Sequence, residues 1–202
     1  MTKARLVPYT GYSVYPEGEM AQRAAVFAAI EITLHTPDAI RALAELDGGV
    51  VGAGTVIAAS PAHVAIGAGA RFIVSPGLSD SVAAVCANAF VPYLPGAATA
   101  SEIMRAFDLD LRTLNFFLAE LAGGIAALKA FSGPFLSVRF CPTGWLGSDS
   151  FLDYLALPNV AAVGGSWVAP PHLIAARAWA DITELAAATV ARAKPPISGE
   201  QL

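Results

Sequence analysis

The chain alternates between short β-rich apolar runs and Ala-rich helical stretches about eight times along its length. Parallel strands need a crossover connection, usually a helix, so this alternation predicts βα units joined into a parallel sheet. Eight such units favour an α/β fold of the closed (β/α)8 TIM-barrel type. Strands are predicted at 6–12, 30–34, 50–55, 71–75, 91–95, 113–117, 137–142 and 160–164. Helices are predicted at 17–28, 37–46, 61–69, 79–89, 100–107, 124–131, 148–156 and 171–192.

The chain length is typical of one such barrel. With 202 residues and 55% hydrophobic composition, the chain can bury a large core in a single domain. We expect this domain to span residues 1–193. The segment 194–202 begins Lys-Pro-Pro and is predicted to be a flexible C-terminal tail.

Charge and hydropathy exclude several classes of function. The net charge is −4, with no polybasic run that would suit a nucleic-acid backbone. Since no run approaches about 18 uninterrupted apolar residues, we expect no membrane association. The first residues lack the apolar region of a secretory signal, which predicts a cytoplasmic protein. Charged residues make up only 14% of the chain, which favours surface covered by partner subunits.

The sequence contains two cysteines, Cys86 and Cys141, without metal-type spacing. They are predicted to be reduced thiols. No group of His, Cys, Asp and Glu has the spacing of metal ligands, so we expect neither a metal nor another cofactor.

The segment 113–120, Thr-Leu-Asn-Phe-Phe-Leu-Ala-Glu, is an apolar run of strand length followed by a loop with two glycines. This pattern predicts a buried parallel strand with Asn115 near its carboxyl end. In barrels, the carboxyl ends of the strands carry the chemistry.

This segment resembles the sixth strand, F-K-F-F-P-A-E, of the 2-keto-3-deoxy-6-phosphogluconate (KDPG) and 4-hydroxy-2-oxoglutarate (KHG) aldolases. The resemblance covers roughly residues 5 to 180 and implies a class I, Schiff-base lyase that forms a homotrimer. Asn115 stands at the position of the Schiff-base lysine, and Leu118 stands at that of the proline. The other matching segments are E-I-T-L-H-T-P at 31–37, G-A-G-T-V at 52–56, A-R-F-I-V-S-P-G at 70–77, L-P-G at 94–96, R-F-C-P-T-G at 139–144 and V-G-G-S-W at 163–167.

Departures from the family pattern concentrate at strand ends and connections. His35 replaces an Arg, Trp145 replaces the second Gly of P-T-G-G, and Phe90 replaces a small residue. Tyr9 and Tyr12 stand where aliphatic residues or Arg are expected. These changes predict a rebuilt pocket, produced by natural divergence or by engineering.

Glu31 is the strongest candidate for acid/base chemistry. The resemblance implies that this residue moves protons during imine chemistry. Independently, a lone carboxylate on an apolar strand should be desolvated, which raises its pKa toward that of a general base. The alternative is a carboxylate paired with a nearby Arg or His inside the barrel.

Asn115 cannot form an imine, and the three lysines lie in the termini (Lys3, Lys194) or on a predicted surface helix (Lys129). Asn115 could instead donate hydrogen bonds to a developing oxyanion. The alternative is an inactivating or merely packed replacement. His35 could shuttle protons or bind a carboxylate, or it could be an exposed loop histidine.

A small-molecule ligand is expected at the same mouth. Gly164, Gly165 and Ser166 resemble the family's phosphate-binding turn, next to Gly144. The Trp145 ring is expected to occupy the phosphate volume, unless it turns outward and packs on a neighbour. Side chains that would shape the pocket or offer hydroxyl groups are Tyr9, Tyr12, Thr55, Ser75 and Thr143, although each hydroxyl could equally bind a loop.

Two functions fit these residues. The first is a lyase or proton-transfer enzyme on a small carbonyl or aromatic compound, with Glu31 as acid/base and Asn115 as oxyanion donor. The second is a disabled or engineered aldolase scaffold that binds a ligand or assembles as a trimer. Aldolase activity through a relocated amine is a third possibility.

Overall fold

The computed structural model describes residues 6–10, 29–33, 40 and 50–193, and for residues 6–10 it describes the backbone alone. Within these residues, eight strands run in parallel, as the alternating sequence pattern predicts. They are β1 (Leu6–Thr10), β2 (Ala29–Thr33), β3 (Val50–Gly54), β4 (Phe72–Val74), β5 (Tyr93–Leu94), β6 (Thr113–Phe117), β7 (Arg139–Thr143) and β8 (Val163–Gly165).

The strands close into a barrel. Six strands pair in the order β5-β4-β3-β2-β1-β8, and β6 pairs with β7. Parallel bridges between Gly96 and Asn115 and between Phe140 and Val160 connect these two groups. The predicted (β/α)8 TIM barrel is therefore confirmed. Because all strands are parallel, their carboxyl ends meet at one mouth.

Helices follow the strands around the barrel. They are α1 (Ala59–Gly67), α2 (Asp80–Asn88), α3 (Ala100–Asp108), α4 (Gly124–Phe131), α5 (Phe151–Leu155), α6 (Pro171–Ala175) and α7 (Trp179–Ala193). At the start of α2, the Ser79 side chain accepts a hydrogen bond from the Val82 N–H, as expected of an N-cap. The helix predicted at 171–192 is instead two helices, because Arg177 adopts a left-handed backbone conformation, φ +53°, between them.

Apolar side chains of the strands pack outward, beneath the helices. Ile30 and Ile32 share one buried cluster with residues of α1 and α2. Phe116 and Phe140 share a second cluster and meet edge to face, with ring centroids 6.1 Å apart. Side chains alternate along a strand, so on each of these strands the neighbours of an outward-facing residue point into the barrel.

Several predictions lie outside the described residues: the helix at 17–28, the tail at 194–202, and the site residues Tyr12 and His35. Of the helix predicted at 37–46, the structure describes only Ile40, which is helical and buried. The side chain of Tyr9 is likewise outside the description. Among the helices that the structure does describe, none combines the length and the apolar character that a membrane crossing requires.

Candidate active site

Glu31 lies inside the barrel on β2, between Ile30 and Ile32, which face outward. Its side chain is 3% exposed. The carboxyl group lies over the backbone of Gly54, where an added β-carbon would overlap Oε1. The absence of a side chain at Gly54 therefore makes room for the Glu31 carboxyl group.

Burial changes the acid/base behaviour of Glu31. Desolvation raises the pKa of its carboxyl from the ordinary 4.5 to about 8. The group is consequently protonated in most molecules at pH 7, and about a tenth carry the carboxylate. A carboxyl with a pKa near neutrality can both donate and accept a proton in one reaction cycle.

Cys141, on β7, interacts electrostatically with Glu31 inside the barrel. Burial and, to a lesser extent, the charge of Glu31 together raise the pKa of its thiol to about 12. The thiol therefore stays protonated near neutrality and is a poor nucleophile or metal ligand. Cys86 is buried and reduced as well.

Asn115 on β6 is buried and joins two other strands through its side chain. Its Nδ2 donates to the Ser75 carbonyl oxygen at 2.9 Å. Its Oδ1 accepts from the Thr143 hydroxyl at 2.6 Å. The amide therefore links the end of β4 to the end of β7, and no hydrogen bond of its second N–H is found among the described residues.

Ser75 is buried, and its hydroxyl donates to the Val56 carbonyl oxygen in the loop after β3. The Ser75 hydroxyl therefore binds a loop, which is one of the two roles that the sequence leaves open for it; the other is contact with a ligand. Thr55 directly follows β3 and has an exposed side chain and a left-handed backbone, φ +59°.

Trp145 follows β7 with its side chain 82% exposed. An indole packed into the mouth would be largely covered, so the exposure favours the outward orientation over a ring that fills the phosphate volume. Gly144, with φ +85°, approaches the backbone of Leu118 in the loop after β6. Leu118 itself has φ +57°, a conformation that proline cannot adopt.

Gly165, at the end of β8, is covered by an aromatic ring. A β-carbon at Gly165 would overlap the Trp167 ring. This ring also packs against Phe151, with ring centroids 5.4 Å apart. Gly164 is buried with Gly165, and Ser166 is exposed at the mouth.

The model of the KDPG and KHG aldolase family matches residues 19–185. The chain belongs to this family. A 2-dehydro-3-deoxy-phosphogluconate aldolase of Pseudomonas aeruginosa is 45% identical over 169 residues, covering 82% of this chain and 77% of its own length.

Solved structures of KDPG aldolases share the barrel of this family member. The Zymomonas mobilis enzyme superposes with a TM-score of 0.83 at 35% identity, covering 96% of this chain and 95% of its own. The Legionella pneumophila enzyme was solved with pyruvate captured as a covalent carbinolamine. It has a TM-score of 0.80 at 38% identity, covering 92% of this chain and 94% of its own.

Three other side chains that could serve in proton transfer or imine formation lie at the surface of this aldolase-family chain. His63 and His172 are exposed, and Lys129 is exposed on α4, as the sequence predicts for this lysine. In the described part of the chain, no group of three or more His, Cys, Asp or Glu is arranged to hold a metal.

Three residues near the site are not singled out by the sequence: Gly54 beneath Glu31, Cys141 near Glu31 and Trp167 over Gly165. Only Trp167 carries a sequence signal, an aromatic residue directly after the Gly-Gly-Ser turn. The roles of Gly54 and Cys141 depend on contacts between strands that are distant in sequence.

Proposed function

We propose that this chain is a lyase or proton-transfer enzyme that acts on a small carbonyl compound without forming an imine. In this proposal Asn115 occupies the position of the Schiff-base lysine, so the pocket is a rebuilt form of the aldolase site. The burial of the Glu31 carboxyl inside the barrel, over Gly54, is the single observation that carries the proposal, and this burial raises the pKa of the carboxyl to about 8.

Glu31 would move the proton. In its carboxylate form it takes a proton from the carbon or hydroxyl next to the substrate carbonyl, and in its acid form it returns one to the product. His35, four residues further along the chain, would relay this proton to solvent.

Asn115 would stabilise the charge that develops on the substrate oxygen. One hydrogen of the Asn115 side-chain amide is donated to the Ser75 carbonyl oxygen. The second hydrogen is the group proposed to bind an enolate or alkoxide oxygen. An amide nitrogen is not a nucleophile, so bond cleavage in this site would depend on oxyanion stabilisation rather than on a covalent intermediate.

The ligand would enter at the carboxyl ends of the strands. Residues proposed to line this mouth are Tyr9, Tyr12, Thr55, Ser75, Thr143, Gly144, Gly164, Gly165 and Ser166, whereas the outward-facing ring of Trp145 leaves the phosphate volume unfilled. The relatives are named as aldolases, which makes a 2-oxo compound the first substrate class to test.

Borohydride trapping with pyruvate, followed by intact and peptide mass analysis, tests the absence of imine chemistry. We expect no adduct, while an aldolase that carries the lysine, labelled in parallel, is modified. A reduced adduct on any lysine of this chain would contradict the proposal. Turnover of 2-oxo compounds by the Glu31→Gln variant tests the positive part: unchanged turnover would exclude Glu31 as the acid/base.

A second function is favoured by the hydrogen bonds of Asn115. Because both ends of its amide are used within the barrel, Asn115 also fits a catalytically disabled scaffold. Such a protein would bind a ligand without converting it, or assemble as a homotrimer. Light scattering gives the assembly state, and ligand binding without product formation would favour this function over catalysis.

A further inference from the structure

We propose that Asn115 fixes the Thr143 hydroxyl as a hydrogen-bond acceptor, so that the site selects an uncharged hydroxyl-bearing carbonyl compound over a carboxylate. This inference rests on the proposed function, because it assumes that the barrel mouth binds a small carbonyl ligand. It concerns which ligand is accepted and is independent of whether an imine forms.

The direction of the hydrogen bonds follows from the Ser75 carbonyl. A carbonyl oxygen can only accept, so the Asn115 atom 2.9 Å from it must be the NH₂ nitrogen. The opposite assignment of the amide would place two acceptors against each other. The carbonyl oxygen of the Asn115 side chain therefore faces Thr143.

This assignment determines where the hydroxyl hydrogen of Thr143 points. The Asn115 Oδ1 also can only accept, so the Thr143 hydroxyl donates its one hydrogen across the 2.6 Å contact. Its remaining hydrogen-bonding capacity consists of lone pairs. Thr143 ends β7 at the mouth of the barrel, where it can accept from a ligand but cannot donate to one.

The Ser75 hydroxyl also donates its one hydrogen within the protein. It donates to the Val56 carbonyl oxygen, which is another group that can only accept. Neither of these two hydroxyls can donate a hydrogen bond to a ligand carboxylate. A carboxylate placed against the lone pairs of Thr143 would meet repulsion and lose the hydrogen bonds that it makes in water.

Charge favours the same ligand class. Glu31 carries its negative charge in about a tenth of the molecules at pH 7, and in that form it further disfavours an anion. Two described cationic side chains on nearby elements lie away from the mouth: Lys129 is exposed on α4, and Arg139 is exposed at the opposite end of β7. A hydroxyl group meets neither penalty, because it can donate to Thr143.

Pyruvate and hydroxyacetone form a matched pair for the test. They share the methyl ketone, and hydroxyacetone carries a CH₂OH group where pyruvate carries its carboxylate. Dissociation constants for both would be measured by NMR titration of the full chain at pH 7. We expect hydroxyacetone to bind about tenfold more tightly, as for sites that must leave a buried polar group unpaired with the wrong ligand.

Two variants separate the roles of the two side chains. Asn115→Leu removes the acceptor and frees the Thr143 hydrogen, so the preference for hydroxyacetone should fall at least severalfold. Thr143→Val removes the hydroxyl in a side chain of the same shape. It should weaken hydroxyacetone binding, and it should not weaken pyruvate binding, because the lone pairs that repel the carboxylate are gone. Circular dichroism shows whether each variant folds. If one variant does not fold, the other variant and the ratio of the hydroxyacetone and pyruvate dissociation constants of the wild-type chain still test the inference.

The outcomes distinguish the two proposals. Tighter binding of pyruvate by the wild-type chain, with turnover that depends on Glu31, would overturn the selectivity alone. A hydroxyacetone preference unchanged in Thr143→Val would also overturn it. If neither compound binds, both this inference and the proposed function on small carbonyl compounds are wrong.

Discussion

The carboxyl group of Glu31 lies over Gly54, in the space that a β-carbon at position 54 would need. The two residues are on adjacent strands and both face the barrel interior. Glycine at this position is therefore required by the neighbouring side chain, since the glycine itself has no left-handed backbone angle that would demand it.

Gly54→Ala should displace the Glu31 carboxyl and destabilise the fold. Overpacking of this kind costs about 1–3 kcal/mol in the free energy of unfolding, measured by urea denaturation. Gly67→Ala is the matched control, because nothing lies within 4 Å of a β-carbon there and Ala is the better helix former. Equal stability of the Gly54→Ala variant and the wild type would show that Glu31 adopts another position.

Glu31→Gln should change how stability depends on pH. In the wild type, the folded chain holds the Glu31 proton up to about pH 8, whereas the unfolded chain loses it near pH 4.5. Stability from this group is fully present below pH 4.5 and falls between pH 4.5 and 8, by up to about 1.4 kcal/mol per pH unit. Glutamine resembles the protonated acid, so the stability advantage of the variant should grow with pH. Parallel stability curves for the two proteins between pH 5 and 8 would contradict the raised pKa.

The sequence predicts the barrel because short apolar runs of strand length alternate with Ala-rich helical stretches along the chain. It also predicts the burial of Glu31, since a lone carboxylate on an apolar strand has only the barrel interior to face. It does not predict the direction of the Ser75 hydroxyl or the link from Asn115 to Thr143, because these depend on contacts between distant strands. The helical pattern likewise does not predict the break at Arg177, because arginine carries no signal for the left-handed backbone angle that it adopts there.

Phe90→Gly should stabilise the fold. Phe90 follows α2 with φ +55° and a side chain that is 94% exposed, so it bears left-handed strain without packing in return. Relief of this strain, less the entropy cost of glycine, should raise the free energy of unfolding by about 0.5–1 kcal/mol. Asp110→Gly is the comparison: Asp110 has φ +59° after α3, but aspartate tolerates this conformation better and pairs with Arg112 at 2.9 Å. Its gain should be smaller, and a larger gain at Asp110 than at Phe90 would refute this explanation.

Asn115→Lys should introduce imine chemistry into the barrel. The substitution places an amine at the proposed Schiff-base position, in a buried site that favours the neutral, nucleophilic form. It also removes the Oδ1 acceptor, so the Thr143 hydroxyl regains a hydrogen that it can donate to the pyruvate carboxylate. We expect a borohydride-reduced pyruvate adduct on Lys at position 115, located by peptide mass analysis, and none on Lys129. Asn115→Met, of similar length but without an amine, is the control and should give no adduct. A folded Asn115→Lys variant that binds pyruvate but forms no adduct would show that position 115 does not correspond to the Schiff-base lysine.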